Sequence, residues 1–348
     1  MKLTILRMAV DTLEASIGGR VRPFMVDALE AAKLQAQEDE CPVLAPLNGM
    51  DFGIQGQGAA PYRFVLRGED ATIRATKSPK LPGASVRLSA LGLAYYEPDR
   101  LLDALLSIVA EFLGPDEEPK LSRLDLCVDF QRFDVAGPHG ARFVTPANFR
   151  PVYPNAEHPE TFQFGRGKVV VRVYNKTREL AVSGKTWMSG LWEQNPDYDP
   201  AQDVWRFEVQ YRREALKELG ASAPADALAQ LPELLRYGLG WADLRIPCGL
   251  SSDRWERHPA WSALAEATGT HTTLNRERAV ASIGDLPMIA AAVAGYTVSA
   301  GVRLDRFDFD DVWGILGRKV RDRLGDEGNF AASVKRRRLE RLGREART

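Results

Sequence analysis

The clearest pattern along the chain is an alternation of apolar and polar residues in three segments, 122–130, 169–176 and 204–212. A period of two is typical of a β-strand, because successive side chains on a strand point to opposite faces. In each segment one set of alternating positions is apolar and the other carries mainly charged residues or tyrosine. The pattern therefore predicts three strands with one buried face and one polar face.

Further strands and helices are predicted around these segments. Residues 3–17 read as a strand, and residues 62–76 and 84–96 as a hairpin-like pair. Residues 213–220 continue the third strand into a helix that ends at glycine. Apolar residues at helical spacing predict further helices at 20–38, 98–115, 225–238, 310–324 and 330–345. Strands and helices mix without a regular βαβ rhythm, which favours an α+β fold: a central, mostly antiparallel sheet with helices packed on one face.

The strand signal weakens near residue 250. We predict that residues 1–250 form one domain and that residues 251–348 form a helical, basic C-terminal region. Between Arg318 and Thr348 the chain has eleven basic and five acidic residues. A solvated charged helix fits this stretch, and so does an element that binds DNA or forms a dimer.

The composition of the 348 residues is that of an ordinary globular protein, with 45% hydrophobic and 27% charged residues. No apolar run is long enough to span a membrane, and the N-terminus lacks the long apolar region of a signal peptide. The three cysteines are widely spaced, so they suggest neither a disulfide framework nor a zinc site. We expect a cytoplasmic protein.

The formal net charge of −1 disfavours a protein that coats nucleic acid over its whole surface. Basic residues are concentrated locally instead, in the predicted hairpin 62–87 and near the C-terminus. The four histidines show no metal-ligand spacing, which disfavours a histidine metal site and a Ser-His-Asp triad. The basic side chains that are candidates to bind phosphate groups are Arg63, Arg67, Arg74, Lys77, Lys80, Arg206, Arg336, Arg337 and Arg338.

Three carboxylates on the predicted polar face are candidate metal ligands. Asp125, Asp129 and Glu208 offer the oxygen atoms that Mg²⁺ or Mn²⁺ prefers. Asp125 and Asp129 lie about 13 Å apart on a straight strand, so we favour Asp125 with Glu208. Asp129 either binds the ion instead or orients basic partners. Taken alone, each strand also fits an ordinary solvated face with cross-strand ion pairs.

The strand 169–176 carries the candidate nucleophile. Tyr174 can attack a phosphate and form a covalent intermediate. Arg172 and Lys176, two positions before and after it, can stabilise the charge that develops on phosphorus. A divalent ion on the same face would polarise a phosphate oxygen.

Three sequence segments together resemble a known family. They are RLDLCVDF (123–130), FGRGKVVVRVYNKTREL (164–180) and WRFEVQYR (205–212). In this order and at these separations they are similar to the replication initiation factor family. Its members are the trans-acting initiators of rolling-circle plasmids and filamentous phages, and some relaxases of conjugative elements look similar. The likeness covers residues 120–220 and is weaker from the N-terminus to about 250.

The resemblance implies a metal-dependent DNA strand transferase. The tyrosine of the Tyr-Asn-Lys motif would attack an origin phosphodiester, leaving a 5′-phosphotyrosine and a free 3′-hydroxyl that primes synthesis. Origin DNA, a second copy of the chain and a host replicative helicase are the implied partners. The family's tyrosine, its neighbouring basic residues and its metal-site acids correspond here to Tyr174, Arg172, Lys176, Asp125, Glu208 and Asp129.

Four functions stay open from the sequence. The first is a rolling-circle initiator, and the second is a relaxase for conjugative transfer. The third is a catalytically silent protein that binds an origin. The fourth is a hydrolytic metal nuclease in which water attacks and Tyr174 only positions DNA.

Overall fold

The computed structural model describes residues 3–113, 118–137, 140–155, 158–184, 186–249, 251–270 and 304–324, with single positions at 293, 297, 300, 301 and 332. Contacts divide the chain into two compact units. The first consists of Met1–Arg22 and Asp70–Ala279, and the second of Pro23–Glu69 and Val280–Thr348. Each unit is therefore assembled from two separate segments of the chain.

Runs of consecutive strands are separated by helices along the chain. In chain order the strands are β1 (Thr4–Ile17), β2 (Val43–Leu47), β3 (Met50–Ile54), β4 (Phe64–Arg67), β5 (Ala71–Ala75), β6 (Ala84–Leu88), β7 (Lys120–Gln131), β8 (Arg142–Val144), β9 (Val152–Asn155), β10 (His158–Phe164), β11 (Val169–Asn175), β12 (Trp205–Arg212), β13 (Asp243–Ile246) and β14 (Glu256–Arg257). The helices are α1 (Pro23–Glu38), α2 (Gly92–Tyr95), α3 (Pro98–Leu113), α4 (Lys176–Ser183), α5 (Ser189–Trp192), α6 (Arg213–Glu218), α7 (Pro224–Ala229), α8 (Leu231–Trp241), α9 (Pro259–Thr270) and α10 (Phe309–Leu324).

The first unit is built on a sheet in the order β5-β6-β1-β7-β12-β11-β10-β9. Every pairing between these neighbours is antiparallel. A smaller antiparallel sheet has the order β14-β13-β8. The prediction of an α+β fold with a mostly antiparallel sheet is confirmed.

The apolar face of the main sheet is packed against helices. The apolar side chains of β7, β11 and β12 are almost fully buried there. Gly238 of α8 lies so close to β12 that a Cβ atom on it would be 2.8 Å from the Cβ atom of Val209. Trp261 of α9 is completely buried and packs edge-on against Phe130 and Phe207. Burial of these groups supplies the main driving force for this layer.

The second unit contains α1, the antiparallel strands β2, β3 and β4, and the helix α10. The amide of Gln37 in α1 donates to the carbonyl of Gly56, at a distance of 2.7 Å. Lys33 of α1 donates to the carbonyl of Arg63, at 3.0 Å. These bonds tie α1 to the segment between β3 and β4.

Several predicted elements differ in detail from the structure. The single helix predicted over 225–238 is two helices, because Gln230 leaves the helical conformation and Pro232 begins a new first turn. The segment 84–96 is a strand only to Leu88, and α2 follows it. Between Gln131 and Thr161, where no strand was predicted, the structure has β8, β9 and the start of β10.

The C-terminal predictions meet the structure only in part. The helix predicted over 310–324 is present as α10. The helix predicted over 330–345 lies outside the described residues, apart from a single position. The two compact units are not separated at residue 250, since α9 belongs to the first unit. The assignment of nicking to residues 1–250 stays a prediction. No helix in the described part of the chain combines the length and the apolarity needed to cross a membrane.

Candidate functional site

Strand register brings the polar residues of five strands into rows across one face of the main sheet. Directly paired residues on antiparallel strands project to the same face. The first row contains Arg7, Asp129, Arg206 and Tyr174. The next contains Cys127, Glu208, Arg172 and Gln163. The third pairs Thr12 with Asp125 and Asp125 with Gln210. Tyr174, Glu208 and Asp125 therefore occupy three successive rows.

Glu208 connects the tyrosine with a basic residue of the same strand. The Tyr174 hydroxyl donates a hydrogen bond to Glu208 Oε2, at 2.9 Å. Arg172 Nη1 donates to Glu208 Oε1, at 3.1 Å. Burial, together with the negative charge of Glu208, raises the pKa of the Tyr174 hydroxyl well above its ordinary value. The phenol is thus a protonated donor whose proton already points at a carboxylate.

Asp125 is buried beside a single basic partner. Arg123 Nε donates to both of its carboxylate oxygens, at 2.9 and 3.0 Å. Burial raises the pKa of the Asp125 carboxyl group to about 7, and the charges of Glu208 and Asp11 act in the same direction, whereas Arg123 opposes them. A cation placed near Asp125 and Glu208 would relieve the repulsion between their charges.

Asp129 anchors a buried network of hydrogen bonds. Arg206 binds it through two bonds, Nε to Oδ1 at 2.6 Å and Nη2 to Oδ2 at 2.8 Å. Trp192 Nε1 donates to Oδ2 at 2.9 Å. Although burial acts to raise its pKa, the charge of Arg206 and these bonds leave the pKa of Asp129 below its ordinary value. Asp129 therefore orients a basic partner, and binding an ion would require it to give up these bonds.

Arg206 lies inside the protein rather than on a surface that DNA could reach. Its side chain is 1% exposed. Its Nη1 atom donates to Asp11 Oδ1, at 2.6 Å, and its remaining nitrogens bind Asp129. Because Arg206 is paired with Tyr174 in the register, its positive charge lowers the pKa of the phenol and opposes the effect of burial. Arg206 thus binds Asp11 and Asp129 inside the protein, although the sequence had predicted that it would contact a DNA phosphate.

The end of β11 fixes Tyr174 and introduces Lys176. Lys176 was predicted as a strand residue, but it begins α4. Its ammonium nitrogen lies 5.6 Å from the centroid of the Tyr174 ring and forms an ion pair with Glu179. The side chain of Asn175 accepts a hydrogen bond from the backbone N–H of Arg178, at 3.1 Å, and so caps α4.

The predicted DNA-binding residues are distributed over several parts of the structure. Arg74 lies on the same face as Tyr174, because register carries that face through Ser85 of β6 to β1 and β7. Lys77 and Lys80 lie in the connection between β5 and β6 and are exposed. In the second unit, Arg63 forms an ion pair with Glu30, and Arg67 ends β4. The predicted residues outside the described part of the chain are Arg336, Arg337 and Arg338.

The donor atoms on this face suit a hard divalent cation in chemical type. Glu208 and Gln210 each direct an oxygen atom at Arg172 Nη1, at 3.1 and 3.4 Å, so these oxygens already converge on positive charge. Carboxylate and amide oxygens match Mg²⁺ or Mn²⁺ better than softer metals. Within the described ranges, no group of three or more His, Cys, Asp or Glu residues could hold a metal ion. Asp125 and Glu208 thus form a two-carboxylate site at most among those residues.

No protein-family model matches the chain. A search of curated proteins also finds no significant match. The resemblance to the replication initiation factor family therefore depends on the three strand segments alone, and membership of that family stays a prediction.

Asp11 and Trp192 belong to the hydrogen-bond network of this site but were not predicted from the sequence. Asp11 lies where the register between β1 and β7 shifts, between Val10 and Thr12, and this bulge breaks the alternation that identifies strand faces. Trp192 reaches Asp129 from a short helix 63 positions along the chain. A break in the alternation within residues 3–17 was the available signal for Asp11, whereas no local signal points to Trp192.

Proposed function

We propose that this protein is a DNA strand transferase that nicks an origin through Tyr174, as the resemblance to replication initiation factors implies. The observation that carries the proposal is the hydrogen bond from the Tyr174 hydroxyl to Glu208 on a face that also holds Asp125 and Arg172. A nucleophile within hydrogen-bond reach of a base, beside groups that stabilise anionic charge, is the general arrangement for covalent catalysis.

The reaction begins at the phenol oxygen. Tyr174 Oη attacks the phosphorus of one phosphodiester while its proton passes to Glu208 Oε2, which is 2.9 Å away. The bond from phosphorus to the 3′-oxygen breaks, and that oxygen leaves and takes a proton from water. The 5′-phosphate stays joined to Tyr174 as a phosphodiester. Arg172 and Lys176 stabilise the negative charge on the reacting phosphate.

Asp125 and Glu208 are the residues that would hold a divalent ion. Mg²⁺ or Mn²⁺ bound there would polarise a phosphate oxygen as a Lewis acid. The two oxygens of Glu208 allow a division of roles, because Oε2 faces Tyr174 and Oε1 faces Arg172. Asp129, the third predicted ligand, holds Arg206, which is paired with Tyr174 on the neighbouring strand.

Basic side chains of β5, β6 and β7 lie on the same face of the sheet as Tyr174. Arg74 and Arg87 lie 4.0 and 3.4 Å from oxygens of Glu14, and Arg123 is paired with Glu14 in the register. These arginines are partly exposed and share the face of Tyr174, so a DNA backbone can contact them without entering the core. We propose that the protein acts on origin DNA in the cytoplasm. Its proposed partners are a second copy of the chain and a host helicase.

The decisive experiment is a covalent-adduct assay. A single-stranded origin oligonucleotide labelled at its 3′ end is incubated with protein and Mn²⁺, then separated on a denaturing gel. The label must be at the 3′ end because the fragment that stays on Tyr174 carries the 5′-phosphate. We expect a labelled band that migrates with the protein, and its absence in Tyr174→Phe. Tyr198→Phe, a tyrosine change in the same unit, should keep the band.

Other outcomes would contradict the proposal. An adduct that persists in Tyr174→Phe excludes this tyrosine as the nucleophile. Cleavage without an adduct indicates a hydrolytic nuclease, and binding without cleavage indicates a silent origin-binding protein. Glu208→Gln should slow adduct formation by about 100-fold or more while DNA binding is retained, because it removes the proton acceptor. An unchanged rate would exclude Glu208 as the base.

A further inference from the structure

A second site lies at the opposite end of β11 from Tyr174. A cavity of about 610 Å³, open to solvent, forms between the turn Gly165–Gly167 and helices α6 and α8. This volume is in the usual range for small-ligand sites. Its lining includes Phe149, Arg166, Lys168, Tyr237 and Trp241. None of these residues takes part in the reaction proposed for Tyr174.

Three aromatic rings form part of the cavity wall, those of Phe149, Tyr237 and Trp241. Tyr237 and Trp241 of α8 stack on each other, with ring centroids 6.1 Å apart and an angle of 28° between the ring planes. The guanidinium of Arg166 lies over the ring of Phe149, 5.4 Å from its centroid. Planar heterocycles bind to such surfaces by stacking, and guanidinium groups add cation–π attraction.

One polar group of the wall has no partner. The indole N–H of Trp241 is buried and makes no hydrogen bond within the described residues. It lies beside the turn, since a Cβ atom on Gly165 would be 3.8 Å from Trp241 Nε1. An unmade hydrogen bond on a buried donor is costly, so an acceptor that reaches it when the indole or the turn shifts would be favoured.

Positive charge borders the same opening. Arg166 sits at the tip of the turn between β10 and β11, and Lys168 forms an ion pair with Glu218 at the rim. A ligand that combines a flat, acceptor-bearing ring with a nearby phosphate fits this set of groups. Nucleotides have both parts, and the bases of an unpaired strand can leave their neighbours and stack on protein rings.

We infer that this cavity, defined by Phe149, Arg166, Tyr237 and Trp241, binds an unpaired base of the DNA strand on which the protein acts. The inference rests on the proposed function, because it takes a single DNA strand as the ligand. Tyr174 follows Val169, at the cavity, by five positions of β11, which is about 17 Å along a strand. The two side chains also project to opposite faces of the sheet. The cavity would therefore hold a base at a distance from the scissile phosphate and limit which phosphate reaches Tyr174.

The test compares strands with and without bases. Binding of fluorescent oligothymidylate and of an abasic strand of equal length is measured by anisotropy, with EDTA and in a Tyr174→Phe background so that no cleavage occurs. We expect Tyr237→Ala to weaken binding of oligothymidylate about 10-fold and to leave binding of the abasic strand unchanged. Trp241→Phe, which keeps an aromatic side chain and removes the unpartnered N–H, should weaken binding of oligothymidylate about 3-fold or more without loss of stability.

Matched controls and contrary outcomes keep the inference falsifiable. Tyr96→Ala, after α2, and Trp313→Phe, on α10, change the same residue types outside the cavity. Neither should alter binding. Equal losses for the abasic strand, or no loss in Tyr237→Ala and Trp241→Phe, would overturn the inference. The inference would also be overturned if binding of free thymidine monophosphate depended on Tyr237 and binding of oligothymidylate did not. The site would then serve a free nucleotide.

The outcome is separable from that of the strand-transfer proposal. The adduct is scored in the protein with Tyr174 intact. If an adduct forms and binding of oligothymidylate does not depend on Tyr237, only the base site is overturned. Base binding that depends on Tyr237 without any adduct supports the cavity and removes only the nucleophilic role of Tyr174.

Discussion

At the scale of single residues, the face around Tyr174 combines buried charges of opposite behaviour. Burial and like charges raise the pKa of Asp125 to about 7, whereas Arg206 holds the pKa of Asp129 below its ordinary value. From the sequence alone, the alternation in β7 predicted that both carboxylates lie on one face. It could not predict their different partners, because Arg206 and Trp192 arrive from distant parts of the chain.

Asp125 should make stability fall as the pH rises. Its pKa in the folded protein, about 7, lies above the ordinary value of 3.8. A group with a raised folded pKa contributes stability that is complete below the ordinary pKa and is lost as the pH rises through the folded pKa. In the absence of divalent ions, the free energy of unfolding should therefore contain a component that declines between about pH 4 and pH 7.

Asp125→Asn should remove that component. Urea unfolding of the wild-type protein and of the variant across this pH range measures the difference between their stabilities. Asp203→Asn, a change of a half-exposed carboxylate, is the control and should leave the decline in place. Parallel stability curves for the wild-type protein and Asp125→Asn would contradict the raised pKa.

At the scale of secondary structure, local patterns predicted most elements but not their interruptions. Alternation located β7, β11 and β12, because each places one face in the core and one on the polar side. The bulge near Asp11 and the break at Gln230 interrupt a period, so a pattern based on regular spacing passes over them. Both features are set by tertiary packing and by proline chemistry rather than by periodicity.

Two glycines of α8 provide a matched test of how this helix packs on the sheet. A Cβ atom on Gly238 would lie 2.8 Å from Val209, whereas one on Gly240 would meet nothing within 4 Å. Gly238→Ala should therefore destabilise the protein by about 1–3 kcal/mol through overpacking. Gly240→Ala should be neutral or stabilise by up to about 1 kcal/mol, through helix propensity. Denaturant unfolding measures both, and equal effects would contradict the close approach of α8 to β12.

At the scale of the whole molecule, the sequence did not reveal that each unit is made from two separate segments. The weaker strand signal after about residue 250 suggested a boundary there. Yet α9, which comes after it, belongs to the first unit, and Trp261 packs against rings of both β7 and β12. Contacts between segments so far apart leave no local signature, because they depend on the closure of long loops.

Trp261 should therefore be essential to the stability of the first unit. Trp261→Ala empties a site that is completely buried, and should lower the free energy of unfolding by about 3–5 kcal/mol. Trp313→Ala, on the exposed side of α10, should cost about 1 kcal/mol or less. Thermal and denaturant unfolding of both variants provides the comparison. A similar small cost for the two changes would mean that residues beyond 250 are independent of the main sheet.

If Tyr174 forms the proposed bond to DNA, the cap that Asn175 forms on α4 would help to hold the nicked strand in place. Tyr174 lies within a paired strand and directly before the cap of a helix, two elements whose local opening is costly, rather than on a mobile loop. A DNA end joined to this residue would be held at one position on the protein for as long as the bond lasts. The free 3′-end would then have to return to that position for the strand to be closed.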